Sequence, residues 1–343
     1  MNTDTNAMAP VLILGGYGSL GSGVARMLRR LHPALPITIA GRNLQAAETL
    51  ALEIGAASAV SVDLGRTDLG LPAGREYSAV VTALRDLSLN SMRYAQGMKI
   101  PYLALSDAPF EIGPLAARFM HDPHSAVMLL GHGIGGVPAL AALHFAKGFE
   151  SVDRIDIGLI FDPQDPFGPA SAVDMAHIAE DGPPPLILER GAWRWGDSPA
   201  SDDRPITGPG GVRHEEQAVG LLDVLSLASV MPQGSIRVDA AQGPTQSSRA
   251  GGKPSHEVVI EIEGKTLDGS HGRHRYALID GDGYAALSAR GIAVAVETML
   301  GLVGGPPPPA GLYFPESVMD TDHFMDRLRS FGVSIGQEVG PDA

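Results

Sequence analysis

Residues 11–21 read VLILGGYGSLG, an apolar strand that runs unbroken into glycines at Gly16, Gly18 and Gly21. In that pattern Gly16 permits a tight strand-to-helix turn, Gly18 lets backbone N–H groups approach a bound group with no Cβ in the way, and Gly21 lets the helix pack close to the strand. With 43 glycines in the chain, spacing alone carries little, and the flanking elements give it weight. Val11 to Leu14 form the continuous apolar run of a strand buried on both faces, and Leu20, Val24, Leu28 and Leu31 follow at helical spacing. Arg26, Arg29 and Arg30 fall off that stripe. A second strand at Pro36 to Ala40 completes strand, glycine turn, helix and strand within the roughly 30 residues of a βαβ unit. Gly15, Gly16, Tyr17, Gly18, Ser19, Leu20 and Gly21 therefore read as a seat for a dinucleotide pyrophosphate, with the helix N-terminus supplying partial positive charge.

The end of the second strand separates the two nicotinamide coenzymes. An NAD site places Asp or Glu there for the ribose 2′-hydroxyl, whereas an NADP site avoids that anion and offers Arg to the 2′-phosphate. No acid occurs from Tyr17 to Ala47, and Gly41, Arg42 and Asn43 stand where the carboxylate would be. A guanidinium binds a 2′-phosphate and stacks on adenine, so NADP(H) is favoured over NAD(H). The competing reading makes Arg42 an ordinary surface residue at a helix start.

Further along, the pattern predicts a helix to Glu53 and strands at Ala59–Val62, Ser78–Leu84, Tyr102–Leu105 and Ala126–Leu130, with a helix over Leu89–Gly97. Short apolar runs alternating with helical segments specify a doubly wound parallel sheet of the Rossmann type, with ligands beyond the strand C-termini. Those termini are Gly15, Arg42, Asp63, Ala83 to Asp86, Ser106 to Asp107 and Gly131 to Gly136. Asp63 is placed to contact adenine or to be a plain strand-end residue, and Ala83 with Leu84 would flank the coenzyme. Beyond Pro138 the pattern changes to alternation at Asp153–Phe161, His256–Glu263 and Arg273–Asp280, as in half-buried antiparallel strands. The expected organisation is a Rossmann domain over 1–135, a second α+β domain over 136–284, and C-terminal helices over 285–343.

Composition narrows the partners. The net charge of −14 argues against nucleic acid or an anionic membrane, since both demand a basic patch, and with no Cys there is no disulfide, thiol nucleophile or thiolate metal site. MNTDTNAMAP has neither the basic start nor the apolar core of a secretory leader, so a cytoplasmic location is expected. The apolar stretch Val127–Ala146 is broken by His132, glycines and Pro138, and Ala285–Gly305 carries Arg290 and Glu297, so neither reads as a membrane span. HGRH at 271–274 on an alternating strand would point its histidines to opposite faces, so no metal is expected there, and HDPH at 121–124 lacks a third ligand. No Tyr is followed four residues later by Lys, which speaks against a short-chain dehydrogenase relay.

Three segments in order resemble the saccharopine dehydrogenase family, including its shorter bacterial reductase-like members. They are VLILGGYGSLGSGVARML with ITIAGRN, FGPASAVDMAHIAEDG followed by Pro183 to Arg190, and PAGLYFPESVMDTDHFMDRLRSFGV. The resemblance implies a Rossmann domain, an inserted α+β domain over 136–284 that completes a substrate cleft and mediates a homodimer, and C-terminal helices over 285–343 that return to the Rossmann domain. It also implies pyridine-nucleotide oxidoreduction at a carbon bearing nitrogen, an amine or imine of a small amino-acid-like metabolite. GHGIGG at 131–136 departs from the Pro-Gly pattern that family often carries after the sixth strand, which leaves the substrate open.

Hydride transfer leaves the protein the handling of a proton at nitrogen. Asp107, His132 and Tyr102 are the best-placed candidates, His132 because an imidazole titrates near neutrality and Asp107 because a carboxylate stabilises an iminium. Each has a plainer role: Asp107 precedes Ala108-Pro109 as a helix cap, His132 sits among glycines as a loop residue, and Tyr102 alternates with core positions. Ser171, Asp174 and Arg213 are candidate substrate contacts, Arg213 with His214 offering a cation to a carboxylate; all read equally as solvated surface. Two other functions remain open on the same scaffold, a carbonyl or enoyl reductase and a non-catalytic NADPH-binding redox sensor.

Overall fold

The computed structural model describes residues 8–105, 109–165, 168, 172, 184–195 and 206–338, and these divide into two compact units. The first holds Met1–Gly131, Gly168–Asp174 and Ala289–Met319; the second holds His132–Phe167, Met175–Ser288 and Asp320–Ala343. The division falls four residues before the expected limit at 135. The C-terminal region does not return as one piece.

In the first unit six strands alternate with helices: β1 (Val11–Leu14), α1 (Ser19–Leu31), β2 (Ile37–Gly41), α2 (Leu44–Ile54), β3 (Ala57–Ser61), β4 (Ala79–Thr82), α3 (Asn90–Met98), β5 (Tyr102–Ala104), α4 (Ile112–His121) and β6 (Ala126–Leu129). All pair in parallel in the order β3-β2-β1-β4-β5-β6, the doubly wound arrangement that parallel strands with helical crossovers produce. Every residue of β1 is 0 % exposed, which is why that strand reads as an unbroken apolar run.

The second unit begins with α5 (Val137–Ala146) and the long strand β7 (Phe149–Phe161). There follow β8 (Leu186–Glu189), β9 (Ala192–Trp195), β10 (Ile206–Thr207), β11 (Arg213–His214), β12 (Glu216–Ala218), α6 (Asp223–Val230), β13 (Ser235–Gln242), β14 (His256–Thr266) and β15 (His271–Asp280). α7 (Tyr284–Met299) leads back into the first unit, where β16 (Gly311–Tyr313) adds to β6 in parallel as a seventh strand. α8 (Thr321–Phe331) and β17 (Ser334–Glu338) then close the second unit, since β17 pairs with β15 and α8 packs on α5. Those two attachments are the reason the tail divides after Met319.

The second sheet runs β17-β15-β14-β7-β13-β8-β9, with β12 on β13. It is mixed rather than antiparallel throughout, because β13 lies parallel to β7 over Ser235–Gln242. No helix among the described residues is long and apolar enough to cross a membrane. His271 bonds Asp153 at 2.8 Å and His274 bonds Gln337 at 3.0 Å, so the two histidines of HGRH have separate partners.

His256 and His132, both in this unit, are buried without charge. His256, 0 % exposed, packs between the rings of Phe161 (centroids 4.8 Å apart) and Tyr284 (5.6 Å), and neither ring nitrogen has a hydrogen-bond partner among the described residues. Burial pushes its pKa down to about 3, and does the same to His132. An unfolded chain takes up a proton at each from about pH 6.5 downward while the fold refuses it, so stability falls as the pH drops from about 6.5 towards 3, by about 1.4 kcal/mol per histidine per pH unit. Asp239 works the other way, since burial raises its pKa to about 6 and protonating it favours the fold below that value. Replacing His256 by Phe should therefore remove about 2 kcal/mol of the stability lost between pH 7 and pH 5, read from urea midpoints at the two pH values.

Candidate functional site

The candidate site lies at the C-terminal edge of the parallel sheet, and glycines shape it. Gly15, at the end of β1, takes φ +72°, so the left-handed turn falls there and not at Gly16. Gly16 answers a different constraint, for a Cβ on it would come 2.8 Å from the Ile13 carbonyl oxygen and 3.1 Å from Ile39 Cγ2. At Gly21 the approach is closer still, 2.4 Å from the Gly15 oxygen and 2.8 Å from Gly16 Cα. Helix and strand are in backbone contact, as the sequence pattern expects. Gly18 caps α1 with extended backbone, and its Cβ would meet only the Gly15 oxygen, at 3.1 Å. No side chain caps α1 and no acid stands in its first turn, which leaves the N–H groups and partial positive charge of the helix start to an anion. A pyrophosphate fits that donor set.

The flanks of the turn are assembled from both neighbouring strands. Beyond β4, the Ala83 carbonyl oxygen and Leu84 Cδ2 lie 2.9 and 3.1 Å from where a Gly15 Cβ would be. On the other side the Tyr17 ring covers Gly41, and the Asn43 N–H donates to the Tyr17 hydroxyl at 3.2 Å. Asn43 Oδ1 accepts from Ala46 N–H at 3.1 Å and so caps α2. Arg42 stands exposed between Gly41 and Asn43. Asp63, also exposed, turns its Oδ1 to Gly65 N–H at 2.9 Å. Ser19 and Leu20 open α1, and Gly168 lies against Ser19, where its Cβ would come 2.7 Å from the Ser19 Cβ. The sequence carried no signal for that last approach.

The proton-handling candidates fare differently. Tyr102 opens β5, 2 % exposed, with its hydroxyl 3.0 Å from Ser91 Oγ. Ser91 Oγ in turn donates to Asp86 Oδ2 at 2.7 Å. The phenol is thus tied into the packing between β5 and α3. His132 stands after β6 in the second unit, 5 % exposed, with Nε2 2.7 Å from Ser226 Oγ. With its pKa pushed down by burial to about 3, it is a neutral imidazole at pH 7, which corrects the expectation of a group that exchanges protons near neutrality. The adjoining Gly133 N–H donates to the buried Asp223 Oδ2 at 2.7 Å. α6 thereby anchors a turn whose Ile134, Gly135 and Gly136 all take positive φ, at 50°, 62° and 84°. A β-branched residue in that region is strained. Asp223 and Ser226 sit some ninety residues downstream in an apolar helix, and nothing in the sequence marks them.

Among the substrate candidates, Arg213 is exposed on β11 in the second unit, and its neighbour His214 is buried there. Desolvation, then the nearby Arg249 charge, lowers the His214 pKa, so it is not the cation that the sequence offered for a carboxylate. Asp107, Ser171 and Asp174 lie outside the described residues. A further charged pair, Arg85 with Glu111, stands between the end of β4 and the start of α4.

No family model and no curated protein matches the sequence. Solved structures do match. Apo saccharopine dehydrogenase (L-Glu forming) from Saccharomyces cerevisiae is similar over 97 % of this chain and 100 % of that one, with a TM-score of 0.64 at 14 % identity. Myo-inositol 2-dehydrogenase from Lactobacillus plantarum is similar over 94 % and 95 % of the two chains, with a TM-score of 0.52 at 11 % identity. What is shared at such identities is the fold, a Rossmann-like parallel sheet with a second, mixed-sheet unit.

The glycine contacts separate two kinds of damage. Gly21→Ala should lower the thermal midpoint by an amount equivalent to about 2 kcal/mol, because backbone atoms of the turn must move to admit the methyl group. Gly18→Ala should leave the midpoint within about 1 kcal/mol of the parent, since only one oxygen at 3.1 Å is disturbed. Differential scanning calorimetry of the two variants checks the contrast.

Proposed function

We propose that this protein is an NADP(H)-dependent oxidoreductase acting on a C–N bond, an amine or imine, of a small amino-acid-like metabolite. One observation carries the reading: the first turn of α1, packed against the end of β1, has no side-chain cap and no acid, while the end of β2 presents Arg42 and no carboxylate. The uncapped N–H groups of the α1 start bind the pyrophosphate, the Arg42 guanidinium pairs with the 2′-phosphate, and Ala83 with Leu84 borders the path away from Gly15. A nicotinamide nucleotide seated there supplies the hydride.

The protein's own work is then to orient the substrate, exclude water and hold one proton near the reacting nitrogen. His132, neutral and bonded to Ser226, orients its turn rather than donating a charge-balancing proton. That leaves Asp107 as the proposed proton-handling group. The choice of a C–N bond is supported by the three segments that resemble the saccharopine dehydrogenase family and by the fold likeness to the yeast enzyme of that name.

Purified protein should oxidise NADPH with mixtures of a 2-keto acid and an amine, followed as loss of NADPH absorbance. Turnover only with carbonyl or enoyl compounds would overturn the C–N assignment, and tight NADPH binding without turnover would make the protein a sensor. Arg42→Ala should weaken NADPH at least tenfold while NADH changes less than about twofold, by titration calorimetry, as expected when a charge-assisted pair is lost from one coenzyme alone. Equal losses would remove the 2′-phosphate from Arg42.

A further inference from the structure

Tyr17 occupies the middle of the glycine turn, half-buried, with its ring against Gly41. The fit leaves no room for a side chain: a Cβ at Gly41 would come 2.2 Å from Tyr17 Cε1 and 3.0 Å from both Cδ1 and Cζ. At the far end of the ring the hydroxyl oxygen accepts the Asn43 N–H at 3.2 Å. Asn43 cannot drift, because its own side chain caps α2 through Ala46. The phenol is therefore held at two points, by the flank of the strand end and by the first residue beyond Arg42.

A tyrosine hydroxyl that accepts one bond still has its proton to give. Among the described residues no acceptor takes it. The residue flanked by Tyr17's two contacts is Arg42, exposed between Gly41 and Asn43. A phosphate offers three oxygens, whereas the planar fork of a guanidinium pairs with two. One oxygen is left for a neutral donor.

We propose that Tyr17 is a specificity-determining residue for the coenzyme, its hydroxyl held by the Asn43 amide so that it donates to the same 2′-phosphate with which Arg42 pairs. This rests on the reading of the β2 end as a 2′-phosphate site. Against a dianionic phosphate the hydroxyl gains a charge-assisted bond; against the 2′-hydroxyl of NAD it gains only a neutral one that water replaces nearly as well. Tyr17 thereby adds discrimination and not merely affinity. Gly41 follows as a requirement of Tyr17, since any side chain there would displace the ring.

The test is coenzyme binding, measured by titration calorimetry with NADPH and NADH on the full chain. Tyr17→Phe keeps the ring over Gly41 and removes one oxygen. The expected result is an NADPH affinity about tenfold weaker with NADH within about twofold of the parent, so that the ratio of the two constants falls. That ratio is internal to each sample and does not move with the fraction folded. Arg42→Ala is measured alongside. If Arg42→Ala discriminates and Tyr17→Phe leaves NADPH unchanged, or weakens both coenzymes alike as a purely structural latch would, the role of Tyr17 is overturned and the phosphate site stands. If the parent protein itself binds NADPH no better than NADH, both fall.

Discussion

The contact on which the glycine turn of the parallel sheet depends is that between the Gly21 backbone and the Gly15 carbonyl. With 2.4 Å between that oxygen and a hypothetical Cβ, the first turn of α1 touches the end of β1 with nothing interposed. That closeness aims the uncapped N–H groups of α1 at the sheet edge, and sets Ala83 and Leu84 against one side of the turn and Gly41 against the other. A helix standing one methyl group further off would lose the geometry an anion requires. Packing and recognition are here one constraint.

The second unit follows another logic. It buries polar groups that stay neutral or find a partner: His256 between two rings, His132 on Ser226, Asp223 on the Gly133 amide. Desolvation opposes charge at such positions, which converts two titratable residues into shape and hydrogen-bonding elements at ordinary pH. The opposite charges on β7, β13, β14 and β15 are met in pairs instead. Arg154 bonds Asp156, Arg237 bonds Asp239, and Arg275 bonds both Glu261 and Glu338. The strained turn at Ile134 is held from within this unit, by side chains of α6.

Much of the first unit was legible because its signals are local. A strand buried on both faces must be an apolar run, a crossover helix must carry a stripe, and the strand ends were located to within a residue or two at β1, β4, β5 and β6. The assignment of the turn slipped by one position, since two adjacent glycines look alike in sequence and only backbone φ tells which is left-handed. Groups that meet across long separations were not legible. Tyr17 was marked as part of the nucleotide loop, yet its bond to Asn43 spans 26 residues and leaves no periodic trace. The neutrality of His132 is imposed by burial beside a helix some ninety residues on, and the parallel pairing of β13 with β7 has no short crossover to announce it. Asp107, Ser171 and Asp174 lie outside the described residues.

The interleaving of the two units has a consequence for how the chain is made. The seventh strand of the parallel sheet, Gly311–Tyr313, pairs with β6 from beyond the whole stretch α5 to α7, and the other sheet waits for Ser334–Glu338 at its edge. On a ribosome that releases residues in order, the parallel sheet gains this strand only after Gly311–Tyr313 has emerged, and the other sheet gains β17 only after Ser334–Glu338. Until then β6 in one sheet and β15 in the other lack these partner strands. An unpaired sheet margin is a template for edge-to-edge association while the chain is still incomplete.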